Sequence, residues 1–355
     1  MSLQSKAGAL APALLKWWVS NGRKDLTWQK TPTRYRVWVS EVMLQQTQVV
    51  TVERYYNRFM AQFPTVRDLA AAELDQVLHL WSGLGYYARA RNLHKAAQII
   101  LDYYDGELPN DVEALQLLPG IGRSTAGAIL ALANDQRHPI LDGNAKRVYA
   151  RVFGIAGWAG QSAVLKELWG VAEACTPVTG VAMYTQAIMD LGATVCLRAN
   201  PDCEHCPIID SCVAGESGLI DSIPGKAPKR TKPQRKTIFV MAVRFDGAVL
   251  LQQRPATGVW GGLWCFPETD AVEQVATWCH VSVGTLPEET CVQPVIRHSF
   301  THFDLDITPV EVRLKKVNAR LMDGDGWLWY KLDEPAAVGL AAPVIRLLER
   351  IGESL

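Results

Sequence analysis

The chain has 355 residues, 36 basic and 36 acidic side chains and 48% apolar residues, so it is too long for one ordinary core and carries no net charge. No basic leader followed by an apolar run opens it and no 18-residue apolar span occurs, which argues against secretion, membrane insertion and structural disulfides and for a cytoplasmic protein. The neutral total hides a polarity: residues 1–100 hold 13 basic and 6 acidic groups, 101–220 hold 7 and 14, and 221–236 hold six and one. A local basic face suits a phosphate-bearing partner, although each cluster alone is also what a solvated surface looks like.

Up to about residue 215 the apolar residues recur at helical spacing, as in Val37, Val42, Met43, Val49, Val50 and Val52, or Leu115, Leu118 and Ile129, which predicts an all-α half. Between two such patterns lies Leu118-Pro119-Gly120-Ile121-Gly122-Arg123-Ser124-Thr125-Ala126. Two glycines let the backbone turn tightly and bare its N–H groups, and the helix that follows points its positive end outward, an arrangement that grips phosphate without reading sequence. Asp142 follows twenty residues after Gly122, where the next helix should begin. The helix dipole and amides there are expected to keep its carboxylate ionised, able to face a developing cation; an ordinary N-cap aspartate occupies the same kind of place.

Cys196, Cys203, Cys206 and Cys212 have six, two and five residues between them. Uneven spacing on one loop-rich stretch favours a cubane iron–sulfur cluster over a four-cysteine zinc site, which is usually built from two CxxC-type pairs. Cys175, Cys265, Cys279 and Cys291 show no ligand spacing and are expected to be small buried hydrophobes. Residues 214–236, rich in Gly, Pro, Ser and Lys, predict an extended linker. Beyond it, 237–245 and 248–253 are β-prone runs flanking Asp246-Gly247, a hairpin signal, and further strands are expected at 294–303, 305–314 and 326–332 with helices near 270–280 and 341–352.

The hairpin, Asp142 and the cysteine spacing together resemble the endonuclease III superfamily of DNA base-excision glycosylases, and the strings 38–48 (WVSEVMLQQTQ) and 83–92 (GLGYYARARN) resemble its adenine-specific, MutY-type branch. The resemblance covers nearly the whole chain. It implies a multidomain protein: 1–24 with 135–220 as an iron–sulfur cluster domain, 25–134 as a six-helix barrel bearing the helix-hairpin-helix, 221–236 as a basic linker, and 237–355 as an α/β Nudix-like lesion-recognition domain. It further implies an enzyme, a monomer associated with the bacterial nucleoid, that removes adenine mispaired with 8-oxoguanine or guanine in double-stranded DNA. Its cofactor would be one [4Fe–4S] cluster on the four cysteines.

On that resemblance Glu41, among Val39, Val42, Met43 and Leu44, is the general acid, its pKa raised by apolar surroundings. Asp142 and Asn144 complete the catalytic group. Gln45, Gln46 and Thr47 would probe the minor groove and Tyr86 would intercalate, with Tyr87 in the core. Arg89, Arg91, Gly120, Gly122, Ser124 and Lys146 would meet phosphates. Phe300, Thr301 and His302 would read the lesion, Thr301 standing where the family commonly has serine. Ser124 occupies the hairpin position at which bifunctional relatives carry a lysine, and a hydroxyl cannot form an imine, so a monofunctional glycosylase is expected. In a hydrolytically active Nudix domain a helix carries several glutamates for magnesium; 270–282 offers Asp270 and Glu273, so nucleotide hydrolysis is not expected. The alternatives are another endonuclease III-like glycosylase or AP lyase, and a lesion-binding iron–sulfur protein without turnover.

Overall fold

The computed structural model describes residues 3–228, 231–315 and 326–354, and its chain divides into two compact units, residues 1–71 with 92–229 and residues 72–91 with 230–355. Among the described residues no helix is long and apolar enough to cross a membrane.

The first unit is built from helices. They are α1 (Leu3–Asn21), α2 (Arg34–Leu44), α3 (Val49–Gln62) and α4 (Val66–Ala71); α5 (Leu74–Trp81) belongs to the second unit, and α6 (Ala88–Tyr103) begins there and continues in the first. Then come α7 (Val112–Gln116), α8 (Arg123–Asn134), α9 (Gly143–Phe153), α10 (Ser162–Cys175), α11 (Val181–Thr194) and α12 (Val213–Glu216). Local chemistry sets their ends: Thr33 caps α2 by accepting from Arg36 N at 3.2 Å, and Gly154, with φ +69°, closes α9 in the left-handed conformation that glycine adopts without strain. Leu10 and Leu14 of α1, Val148 of α9, Leu168 of α10 and Ile188 and Leu191 of α11 form one apolar core. Asp190 of α11 is fully buried inside it, and it is neutralised by Arg23 at 2.7 Å and accepts from Trp18 Nε1 at 2.9 Å, which ties the chain after α1 to α11.

The second unit carries a mixed sheet. Its strands are β1 (Gln234–Arg244), β2 (Val249–Gln253), β3 (Trp264–Cys265), β4 (Glu268–Thr269), β5 (Glu289–Val292), β6 (Ile296–Ser299), β7 (Asp304–Leu314) and β8 (Trp327–Tyr330). The order is β3-β2-β1-β7-β5, with β4 on β1, β6 on β7 and β8 on β2; β1 and β7 run parallel over their full length. The Asp246-Gly247 turn joins β1 to β2 as a hairpin, Gly247 at φ +82° and Arg244 N donating to Ala248 O at 2.8 Å. Ile238, Val240, Val310 and Val312 fill one face together with Val275 of the short α13 (Val275–Trp278), and α14 (Ala342–Ser354) ends the chain.

Several sequence expectations are corrected here. β1 starts at Gln234, inside the stretch predicted as linker, because its pairing with β7 extends down to Gln234 opposite Asp304. The helix expected at 270–280 is broken into a 3₁₀ turn at Val272–Gln274, α13 and a π turn at Cys279–Val283. The strand expected at 294–303 is confined to β6, since Phe300 N donates to Phe303 O at 2.9 Å and turns the chain. Cys175, Cys265 and Cys279 are buried, but Cys291 lies exposed on β5. The linker residues Lys229 and Arg230 lie outside the described residues.

Candidate active site

Within the first unit, α2 carries Glu41 on a helix whose Val37, Trp38, Val39, Val42 and Met43 are buried. Glu41 is half-buried, and loss of water together with the negative charge of Asp142 raises its carboxyl from 4.5 to about 8. Asp142 is the N-cap of α9, accepting from Ala145 N at 2.7 Å. The sequence predicted a carboxyl held ionised by the helix start. Burial lifts its pKa, while the Ala145 and Asn144 amides and the charges of Arg147 and Lys146 act in the expected direction and oppose that rise. Two neighbouring carboxyls with raised pKa values cannot both ionise easily, and Glu41 is the one that keeps its proton at neutral pH.

The segment 135–142 that delivers Asp142 has no regular structure. α8 holds it: Leu141 N donates to Ser124 Oγ at 2.9 Å, and Gly127 lies so close that an added Cβ would stand 2.6 Å from Pro139 O. Ser124, read from sequence as a phosphate contact, thus spends an acceptor lone pair inside the protein. On the far side of α9's first turn, a Cβ on Gly192 would stand 2.6 Å from Asn144 Cβ, and Arg147 Nη2 donates to Asn144 Oδ1 at 2.9 Å. Gly120 takes φ +80° in the hairpin before α8, where a side chain would meet Asn92 at 3.0 Å, and Gly122 starts α8 without any side-chain cap, leaving the helix's first amides for an anion. Gln45, Gln46 and Thr47 form the turn from α2 to α3: Gln46 is exposed at φ +59°, a left-handed conformation that costs energy in glutamine, and Thr47 N donates to Leu44 O at 3.2 Å.

Cys196, Cys203, Cys206 and Cys212 line one cavity with Val148, Arg151 and Ile209. Arg151 is buried, donating to Cys196 Sγ at 3.4 Å, Leu197 O at 2.6 Å and Ile223 O at 2.9 Å, while Arg147 Nε donates to Cys196 O at 2.7 Å. Burial pushes the Cys206 thiol up to about 11, and its three neighbours push the same way. Four thiolates can share this cavity only around a cationic group. The lining offers four thiols and no imidazole or carboxylate apart from Asp202, a sulfur donor set that suits an iron–sulfur cluster.

In the second unit a cleft of about 760 Å³ is lined by Tyr86, Arg91, Trp260, His298, Phe300 and Thr301 among others. Tyr86 is half-exposed at φ +50°. Tyr87 is half-buried and donates to Leu340 O at 3.1 Å. Arg91 Nη1 donates to Gly261 O at 2.7 Å. Arg89 is a correction: it is buried, stacked 5.4 Å from both Trp81 and Tyr86 and donating to Gly85 O at 3.1 Å, so it braces the 83–91 turn from within instead of reaching for phosphate. Phe300 stacks on Phe303 at 4.5 Å and leaves Thr301 and His302 exposed at the tip of the β6–β7 turn. Sequence reasoning missed Trp260, a buried tryptophan at φ +52° whose ring packs on Phe300 at 5.3 Å and His298 at 5.4 Å; the glycines around it at 258, 261 and 262 were the available signal. Also missed were Gly127, Gly192 and the paired Arg147 and Arg151.

Residues 39–174 match the family model of the HhH-GPD superfamily base excision DNA repair protein, and residues 239–350 match the NUDIX domain. The adenine DNA glycosylase of Buchnera aphidicola subsp. Acyrthosiphon pisum is 38% identical over 343 residues, 96% of this chain and 97% of that one. That of Rattus norvegicus is 37% identical over 91% of this chain and 75% of its own length. Among solved structures, a thermostable thymine-DNA glycosylase superposes on 60% of the chain and 98% of its own at a TM-score of 0.55 and 25% identity. A non-covalent endonuclease III–DNA complex covers 62% of this chain and 99% of its own at 0.53 and 22%, a likeness of fold. A helical unit with a glycine hairpin and two carboxyls, followed by a Nudix-like sheet and matched nearly end to end by such relatives, places the chain in the adenine DNA glycosylase family of base-excision-repair hydrolases acting on N-glycosyl bonds.

Proposed function

We propose that the enzyme excises adenine mispaired with 8-oxoguanine or guanine in duplex DNA, as a monomer and without strand cleavage of its own. The carrying observation is the Glu41 carboxyl, raised to about 8 beside Asp142 at the start of α9. A base inside a duplex must leave the stack before its glycosidic bond can be attacked. Glu41 then donates its proton to N7 of the extruded adenine, the C1′–N9 bond breaks with its electron pair going to the base, and the Asp142 carboxylate faces the oxocarbenium sugar. Water adds to C1′, and the proton it releases returns to Glu41. One protonated and one ionised carboxyl form the pattern of glycoside hydrolysis. Asn144, held by Arg147, keeps the first turn of α9 in place beside them.

Gly120 and Gly122, with Lys146, suit phosphate contacts; Gln45, Gln46 and Thr47 suit the minor groove and the vacated stack, and Tyr86 suits stacking. Phe300, Thr301 and His302 at the cleft suit the 8-oxoguanine, with Thr301 supplying the hydroxyl. A [4Fe–4S] cluster on Cys196, Cys203, Cys206 and Cys212 supplies a crosslink of its loop when bound, and no step above passes through it. Single-turnover assays on duplexes pairing adenine with 8-oxoguanine, guanine or thymine test the reading. Glu41→Gln and Asp142→Asn should release adenine far more slowly than the parent, and parental rates in both would refute the mechanism.

A further inference from the structure

Asp142 stands at the end of eight residues without helix or strand. The first turn of α9 holds it from the C-terminal side, the Asp142 carbonyl accepting from Lys146 N at 2.9 Å, but no ladder or helical turn fixes the segment that leads into it. One face of α8 does. Ser124 and Gly127 are three residues apart and therefore neighbours on that helix. Ser124 Oγ accepts the Leu141 N–H at 2.9 Å, and Gly127 is a notch into which Pro139 O fits, since a Cβ there would lie 2.6 Å from that oxygen. Ile140 and Leu141 are buried and the Leu141 N–H bond to Ser124 is part-buried, so losing that acceptor would leave the amide poorly served by water. Both contacts fall within three residues of Asp142.

We infer that Ser124 is a positioning residue, a strut on α8 that sets the Asp142 carboxylate against the sugar by holding the Leu141 amide, with Gly127 admitting the segment to that distance. The inference rests on the reading of Asp142 as the carboxylate that faces the cation. It also gives the serine at this hairpin position a task of its own. A lysine in its ammonium form has three donors and no acceptor, and in its neutral, nucleophilic form it has a single lone pair, which cannot accept the Leu141 N–H and attack carbon at once; imine formation and this strut therefore compete at one position.

The test uses the full-length protein, an adenine:8-oxoguanine duplex for single-turnover excision and the same duplex with 2′-fluoro-2′-deoxyadenosine for affinity. Displacing a reacting group by about 1 Å can cost on the order of a hundredfold in rate, so Ser124→Ala is expected to lose about ten- to a hundredfold in excision with affinity unchanged. Ser124→Cys, similar in size but a weak acceptor, should lose rate likewise, and Ser124→Thr, which keeps the hydroxyl, should recover it. Should Ser124→Ala fail to fold, the cysteine and threonine pair carries the comparison. A parental rate in both Ser124→Ala and Ser124→Cys, a loss that tracks affinity, or the absence of rescue by threonine would overturn the strut. Asp142→Asn is measured alongside. If it is inactive while Ser124→Ala is at the parental rate, the strut alone fails; if it excises at the parental rate, the reading of Asp142 fails and the strut with it.

Discussion

The two units place their functional side chains by different means. In the first, two carboxyls are seated by helices, Glu41 in mid-α2 and Asp142 at the cap of α9, and burial shifts both pKa values upward. In the second, the cleft is walled by rings: Tyr86, Trp260, His298 and Phe300 line it, with Phe303 stacked under Phe300, and Arg91 and Arg89 are spent on backbone carbonyls. Proton transfer needs a group whose charge the protein can adjust, whereas discrimination of a base needs shape, stacking and a few hydrogen bonds. The difference predicts that damage to the first unit reaches rate and damage to the second reaches selectivity.

The sharpest break of that contrast is Glu41→Gln, which should cost about 10²- to 10⁴-fold in single-turnover excision, the usual worth of a general acid, with unchanged affinity for an uncleavable duplex. Serine at Cys212, a buried member of the cysteine cavity, should lower the thermal midpoint and DNA affinity before it alters the excision rate of the protein that remains folded; a stable, DNA-binding variant failing only in catalysis would assign the cysteines a chemical role. The rate in the parent should fall tenfold per pH unit above about 8, where Glu41 gives up its proton. The same raised pKa has a sign for stability: between 4.5 and about 8 the folded state holds a proton that the unfolded chain has released, so stability from this group declines as pH rises through that window. Glu41→Gln should therefore raise the melting temperature more at pH 8 than at pH 5, and an equal gain at both would contradict the shift.

Smaller effects are expected in the second unit. Thr301→Val removes one hydroxyl and should reduce the preference for 8-oxoguanine over guanine about fivefold, within the range of one hydrogen bond, leaving excision opposite guanine unchanged. Smallest is the salt response. Neutralising Lys226, Lys232 and Lys236 should flatten the dependence of log affinity on log salt by about 0.9 for each phosphate that is no longer neutralised; an unchanged slope would take the linker off the duplex. Lys232 already donates to Phe300 O at 2.8 Å, so its share should be the least.

What was legible in the sequence depended on how local its cause was. The glycine hairpin, the cap at Asp142, the Asp246-Gly247 turn and the cysteine spacing are decided within a few residues, and each appears where its local chemistry puts it. Strands of two residues such as β3 and β4 carry no period to detect and exist only through pairing with β2 and β1. Arg89 carries the same charge as any surface arginine; what buries it is the turn that brings the rings of Trp81 and Tyr86 against it. Residues 72–91 lie within the helical family match yet fold with the sheet, because Asp75 accepts from Trp264 and Gln253 and Tyr87 donates to Leu340.

The sequence by itself determined the chemistry on offer: which residue is an acid, which a hydroxyl and not an amine, and which four cysteines can share a cluster. Only the tertiary structure decided the state of that chemistry. Burial raises both carboxyls, and at Asp142 the helix-cap amides and the nearby cations oppose that rise without cancelling it, a balance that the helix cap alone does not reveal. The approach of α8 to residues 139–141 likewise turns Ser124 from an exposed hairpin hydroxyl into a bond holding the chain just ahead of Asp142, a relation between positions 17 residues apart that spacing alone does not reveal.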